Sequence, residues 1–276
     1  MTLKASTINI GSFNVLGTYP IDAEFTNERT ELASALVEFH EFDVFGTQET
    51  RFWQIEGFLK SGVYAVEGVN VEGEVPTMKN RWTNAIFFRK DRFELLEKGH
   101  FWLAENPEEK AKDWYGEKQF RNCNWVKLRD KKLNKTFYFF NTHFGLNPKV
   151  RLESAKLFVS KIKEITKGES FITTGDYNTT QREHPTLKAL LGSKFLFDSW
   201  KISKRKPYGP KGTFVCMHYN RPINGSRQVE DPSKKLDYIF VSKDVSVEKC
   251  GVITDNIGGA YPSDHLPILA VISFKQ

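Results

Sequence analysis

Asn14, Glu49, His143, Asp176, Asn178, Asp237, Asp264 and His265 are scattered along the sequence, yet each falls at the border of an apolar segment. Glu49, Asp176 and Asp264 offer hard oxygen donors, which suit Mg²⁺ or Mn²⁺ better than zinc. Asn14 and Asn178 bring neutral amides that can hold a metal-bound or phosphoryl oxygen without adding charge. His143 and His265 can donate to an anionic oxygen or move a proton near neutral pH. Together such groups can orient a water and stabilise charge developing on phosphorus. Singly they are ordinary: Gln48-Glu49 reads more simply as a solvated strand end, Gly175-Asp176-Tyr177-Asn178 as an Asx turn, and Ser263-Asp264-His265 as a capping turn. Asp237 is harder to dismiss, because it lies inside the apolar run Leu236-Asp237-Tyr238-Ile239-Phe240, where a carboxylate needs a partner.

The elements that must carry these residues can be read from periodicity. Ile8 and Ile10 alternate with polar residues and lead into Phe13-Asn14, a strand pattern. Leu32, Ala35, Leu36 and Phe39 recur at helical spacing, and Val44-Phe45 is a short strand ending in Gly46-Thr47-Gln48-Glu49. Further strands fit 84–89, 92–103, 122–128, 137–140, 171–174, 236–241, 245–253 and 266–274. The clearest helix starts after Asn147, a capping residue, with Pro148 in its first turn. Leu152, Ala155, Leu157, Phe158 and Ile162 form its buried stripe, and Gly168 suits its end. The run Ile268-Leu269-Ala270-Val271-Ile272 is apolar on both faces and calls for a strand between layers. Asn14, Glu49, His143 and Asp176 follow strands, whereas Asp237 and Asp264-His265 precede them. An antiparallel return of the later strands brings all of them to one edge of a layered core, where rigid scaffolds hold reactive groups.

Bulk composition sets the class. With 276 residues, 39% hydrophobic and 14% aromatic, the chain can bury a full core and is expected to fold as one domain over 1–276. A net charge of +6 suits a polyanionic partner or merely a basic surface. Cys123, Cys216 and Cys250 are odd in number and lack CxxC spacing, so neither a disulfide framework nor a zinc knuckle is indicated. No stretch approaches the ~18 apolar residues of a membrane span, and the N-terminus lacks a signal-type apolar run. The expectation is a cytoplasmic monomer, with a secreted form that has lost a leader as the alternative. Two long polar segments interrupt the pattern, 104–120 and 201–235; the second is strongly basic. Its Lys206, Lys211 and Arg221 could contact phosphates and its Tyr208 could stack on a base, or the loop could simply be solvated.

In order along the chain, Ser12-Phe13-Asn14-Val15, Thr47-Gln48-Glu49-Thr50, Asn141-Thr142-His143, Thr174-Gly175-Asp176-Tyr177-Asn178, Lys235-Leu236-Asp237-Tyr238-Ile239-Phe240 and Ser263-Asp264-His265 resemble the endonuclease/exonuclease/phosphatase superfamily, whose fold is deoxyribonuclease I-like. The resemblance implies an α/β fold, a four-layer sandwich of two packed, mainly antiparallel sheets flanked by helices. It implies a metal-dependent phosphoric ester hydrolase using Mg²⁺ or Mn²⁺. Glu49 would be the principal metal ligand, with Asn14 beside it and Asp264 near the ion. Asp176 and Asn178 would contact the attacking water and the scissile phosphate, and His143 would donate to a phosphate oxygen. Asp176 and the Asp237–His265 pair are both candidates for general base; the pair is favoured because a carboxylate-held imidazole titrates near neutral pH. For substrate the reading leans to a nuclease or nucleotide-directed phosphodiesterase acting on nucleic acid or a nucleotide. A phosphatase or a sphingomyelinase-like phospholipase is the alternative, and a non-catalytic binding module the minor one.

Overall fold

The computed structural model describes residues 7–17, 23–79, 82–112, 114–116, 118–180, 184–192, 194–215, 235–256 and 261–275. Apolar runs become strands wherever polar turns bound them, and the helices fill the connections. The first half contains β1 (Ile8–Asn14), α1 (Ala23–Phe39), β2 (Val44–Gln48), α2 (Phe52–Leu59), β3 (Tyr64–Glu67), β4 (Ile86–Arg89), β5 (Phe93–Trp102) and β6 (Asn122–Asp130). The second contains β7 (Lys135–His143), α3 (Pro148–Thr166), β8 (Phe171–Asp176), α4 (His184–Leu191), β9 (Phe197–Asp198), α5 (Ser199–Ile202), β10 (Asp237–Val241), β11 (Val245–Val252) and β12 (Ile268–Phe274).

These strands make two six-stranded sheets, ordered β11-β12-β1-β2-β4-β3 and β5-β6-β7-β8-β10-β9. Each sheet has one parallel pair, β1 with β2 and β7 with β8, and its other pairings are antiparallel. The inner faces pack together through Ile8, Ile10, Val44, Val126, Phe137, Phe139, Ile172, Ile239, Ala270 and Ile272. On the outer faces, Phe140, Phe158, Tyr177 and Phe240 pack between the second sheet and α3. Phe13, Phe45, Phe58 and Phe87 do the same for the first sheet, α1 and α2. The expected four-layer α/β sandwich is the observed one.

The helix signals at 147–168 hold in detail. Asn147 accepts a hydrogen bond from the Lys149 amide at 3.0 Å and Pro148 opens α3. The helix stops one residue earlier than Gly168 alone indicates, because Lys167 already turns left-handed at φ 47°. Within the described part of the basic segment, α5 takes the first residues and 204–208 runs beside β11. There the Lys204 and Tyr208 amides donate to Val247 and Cys250. Among the described residues, no helix is long and apolar enough to cross a membrane.

At the end of the sandwich where β1 begins, Arg92 ties the sheets together. Its guanidinium reaches Asp130 at 2.7 Å, at the end of β6, and Asp43 at 3.0 Å, just before β2. It also donates to the Thr7 carbonyl at 2.9 Å. Asp130 is fully buried, so removing its partner strands a charge. Arg92→Met is expected to cost about 3–5 kcal/mol, read as a shift of the urea unfolding midpoint; a loss below about 1 kcal/mol would remove this staple from the account.

Candidate active site

Parallel pairing within each sheet points the C-terminal ends of β1, β2, β7 and β8 to the same end of the sandwich. Asn14 closes β1 opposite Gln48 of β2, and His143 closes β7 opposite Asp176 of β8. β10 returns antiparallel to β8, so its first residue, Asp237, lies directly across from Asp176. His265 precedes β12 and bridges to Phe214, with their rings 5.0 Å apart. All the sequence-derived motif residues therefore converge on one sheet-end cluster. Glu49 and Asn178 both hold left-handed backbone, at φ 59° and 48°, an unfavourable conformation kept where surrounding contacts over-determine it.

Asn14 is the link between the two sheets at this point. Its amide nitrogen donates to Glu49 at 3.3 Å and to Asp176 at 3.1 Å, while its oxygen accepts from the Leu16 amide at 3.0 Å. Its side chain thus acts as a donor holding two carboxylates. Behind it, buried Arg29 of α1 donates to the carbonyls of Val15, Leu16 and Pro262, and Ser263 donates to the Asn14 carbonyl at 2.6 Å. The strand end and the loop bearing Asp264-His265 are in this way fastened to each other.

Asp237 accepts from His265 Nδ1 at 2.8 Å and from the Thr213 hydroxyl at 2.5 Å. The other ring nitrogen of His265 lies 3.8 Å from Asp176. Burial works against charge on this imidazole, but Asp237 and Asp176 outweigh it and raise His265 well above the usual histidine range. Both carboxylates favour the protonated ring over the neutral one. Asp176 is pushed up to about 7, first by burial and then by the Asp237 charge, which brings it into the range of a neutral-pH proton acceptor.

His143 behaves differently from its twin. Burial, then Arg121 and His265, lower it well below the usual range, so it is neutral. Its Nε2 lies 3.0 Å from the Asn178 amide nitrogen, which also donates to the Phe144 carbonyl. Nε2 also lies 3.4 Å from an Asp176 carboxylate oxygen, so whether it accepts from Asn178 or donates to Asp176 is set by the ring's tautomer. The Asp176 carboxylate completes the turn by accepting from the Asn178 backbone N–H at 2.9 Å.

The sequence matches the model of the Endonuclease/Exonuclease/phosphatase family over residues 11–265. This chain belongs to that family. An endonuclease/exonuclease/phosphatase family protein from Bacteroides thetaiotaomicron is 30% identical, with a TM-score of 0.87 over 98% of this chain and 99% of that one. A mannosyl-6-phosphatase from Bacteroides thetaiotaomicron VPI-5482 is also 30% identical, with a TM-score of 0.85 over 97% and 100% of the two chains. D. rerio TDP2 in complex with a single-strand DNA product shares the fold at 19% identity and a TM-score of 0.73, over 97% of this chain and 99% of that one. No curated protein matches the chain. The fold is the deoxyribonuclease I-like one, and the chain is a phosphoester hydrolase of this family.

The donor chemistry fits the divalent ion on which this family generally depends. Glu49 is raised first by burial and then by the charge of Asp264, which marks two carboxylates that repel across a space a cation would relieve. Atoms of Asp176, Asp237 and His265 also lie within 4.8 Å of one another, close enough to hold an ion. There Nδ1 is taken by Asp237, which leaves Nε2 and the carboxylate oxygens as donors.

Arg121 and Thr213, beside this cluster, carry no signal in the sequence, and Phe214 reads there only as a ring of the basic segment that could stack on a base. Buried Arg121, just before β6, acts electrostatically on both Glu49 and His143. Thr213 fixes Asp237, and Phe214 covers His265. Only the pairing of 213–215 with 264–266 reveals them, and no local motif marks that contact. Of the basic-segment candidates, Lys206 and Tyr208 lie along the outer edge of β11, with Tyr208 beside Gly251 and three strand spacings, roughly 14 Å, from β1. Lys211 is exposed two residues before Thr213, and Arg221 lies outside the described residues.

Two outcomes follow from the charges. Replacing Asp237 by Asn removes the nearest counter-charge, so NMR titration of metal-free protein should show the His265 ring titrating at least about one unit lower; an unchanged ring would refute the pairing. Asp176 and His265 both bind protons more tightly folded than unfolded, so each stabilises at low pH, and that stability is lost as pH rises. For Asp176 the loss runs from about 4, its ordinary unfolded value, through its folded value of about 7. Metal-free protein should unfold at lower urea at pH 8 than at pH 5.5, and Asp176→Asn should reduce that difference.

Proposed function

We propose that this chain is a divalent-metal-dependent phosphomonoesterase acting on small phosphorylated hydroxyl compounds, with sugar phosphates the leading class. The observation that carries this reading is the 30% identity to a mannosyl-6-phosphatase, over essentially the full length of both chains. The DNA-bound relative stands at 19%, where likeness speaks for fold alone. A nuclease or nucleotide-directed phosphodiesterase is the second reading, favoured by the net charge of +6. Of the basic segment, Lys206 and Tyr208 run beside β11, and 216–234 lies outside the described residues.

In this reading Glu49 and Asp264 hold Mg²⁺ or Mn²⁺, and Asn14 keeps the Glu49 carboxylate oriented. When bound, the ion supplies Lewis-acid stabilisation of charge on the phosphoryl oxygens. Asp176 accepts the proton of the attacking water, and Asn178, held by His143, orients the scissile phosphate. The His265 imidazolium, kept charged by Asp237, donates to an oxygen of the phosphate or leaving group. Arg121 adds positive charge for a dianionic monoester.

The deciding experiment measures phosphate release from mannose 6-phosphate, other sugar phosphates and p-nitrophenyl phosphate against cleavage of bis-p-nitrophenyl phosphate, single-stranded DNA and RNA. Mg²⁺, Mn²⁺ and EDTA arms are run beside Glu49→Gln. We expect EDTA-sensitive turnover with kcat/KM at least about 100-fold higher for the preferred monoester than for diesters, and a loss of about 100-fold or more in Glu49→Gln. Preferential cleavage of nucleic acid would overturn the substrate class and leave the phosphoesterase assignment standing.

A further inference from the structure

The strands carrying Glu49, His143 and Asp176 meet at one further buried side chain, which touches none of those three. Asn141 of β7 is wholly buried between the sheets. Its amide nitrogen donates across the gap to the carbonyls of Thr47 at 2.8 Å and Ala85 at 2.9 Å. Its oxygen accepts from Gln48 Nε2 at 2.7 Å and from the Thr174 hydroxyl at 3.1 Å. An asparagine amide has two donors and two acceptor positions, and here all are used.

The partners are not a random sample of the core. Thr47 and Gln48 are the residues immediately before Glu49, Thr174 lies two before Asp176, and Asn141 itself lies two before His143. The close approach is permitted by Gly46, where an added Cβ would come within 2.4 Å of the Asn141 oxygen and 2.2 Å of the Thr174 hydroxyl. A satisfied polar network in a low-dielectric interior is directional in a way apolar packing is not. Sliding β2 against β7 and β8 by a fraction of a residue would break several bonds together.

We propose that Asn141 is a positioning residue for the phosphoesterase reaction, its amide setting the spacing and register between the strand that ends in Glu49 and those that end in His143 and Asp176. This rests on the residue roles proposed above but on no choice of substrate. Any phosphoester that the protein turns over serves for the test. A misplacement of order 1 Å in such a site can cost about 10²-fold in rate.

The test compares Asn141→Leu, of similar volume, with Val126→Ala, a cavity variant in the inter-sheet core away from the site. Thr174→Val and Gln48→Met each delete one of the bonds and keep the experiment decisive should Asn141→Leu fail to fold. We expect Asn141→Leu to lower kcat by at least about 10-fold at nearly unchanged KM, and the single-bond variants by about 3-fold or more. Their Mn²⁺ affinity by calorimetry should weaken, and the ring signals of His143 should shift in metal-free protein. Val126→Ala should lose stability while keeping kcat and Mn²⁺ affinity. If the amide variants retain kcat within twofold of Val126→Ala, with unmoved metal affinity and ring signals, Asn141 is only a stability element and the proposal fails. Absence of monoester preference in the wild type would instead count against the substrate reading and leave this result intact.

Discussion

The structure is organised around a local excess of negative charge at the end of two packed sheets. Asp176, Asp237 and Asp264 are buried there and Glu49 is partly so, within a core that is otherwise aromatic and aliphatic. Ionised carboxylates withdrawn from water are costly unless paired and hydrogen-bonded. The surrounding groups answer that need: the His265 imidazole on Asp237, the Asn14 amide on Glu49 and Asp176, the Thr213 hydroxyl on Asp237, the Asn178 amide on Asp176. The Arg121 charge acts on Glu49 from the start of β6. What these leave uncompensated is negative charge, which a hard divalent cation would offset before an anionic phosphate could approach.

Holding like charges together demands a stiff frame, and the frame has two fastenings of different chemistry. Near the site, neutral amides cross between the sheets: Asn141 to Thr47 and Ala85, Asn84 to Asn122, and Asn124 to the Asn84 carbonyl. At the opposite end, an ion pair does the same work through Arg92, Asp43 and Asp130. The division is physically sensible. Neutral amides join the sheets without adding to the crowded charge of the site, whereas a salt bridge is harmless where no metal or phosphate has to bind. On the outer faces, ring contacts such as Phe45 on Phe87 at 4.8 Å and Tyr238 on Phe240 at 5.3 Å give the sheet–helix layers shape-specific packing.

Much of the architecture was legible in the sequence because it follows from local pattern. Apolar runs bounded by polar turns marked most of the strands, and Asn147, Pro148 and the apolar stripe marked α3. Elements whose pattern is weak were missed or shortened. The first half of α1 carries few apolar residues. β3 has only four residues, and α4 and α5 are a few turns at most. Asn70, Asn122 and Asn124 carry no mark in the sequence, since nothing local tells a solvated amide from one that bridges two sheets.

The sequence by itself determined the residue types of the site, their order and their attachment to strand ends. These are properties of short segments, and in this order they define the family. Only the tertiary structure decided how they divide the work. His265 is raised and His143 lowered although both are buried histidines bordering apolar strands: the charges of Asp237 and Asp176 outweigh burial at His265, whereas at His143 burial prevails and the charges of Arg121 and His265 add to it. Asn14 proved a donor between carboxylates, Asn141 of the Asn141-Thr142-His143 motif proved a bridge between the sheets, and Thr213, Phe214 and Arg121 entered the site from segments without a motif. Charge state and hydrogen-bond direction depend on what faces a group across the fold, and that is set by the packing of distant segments.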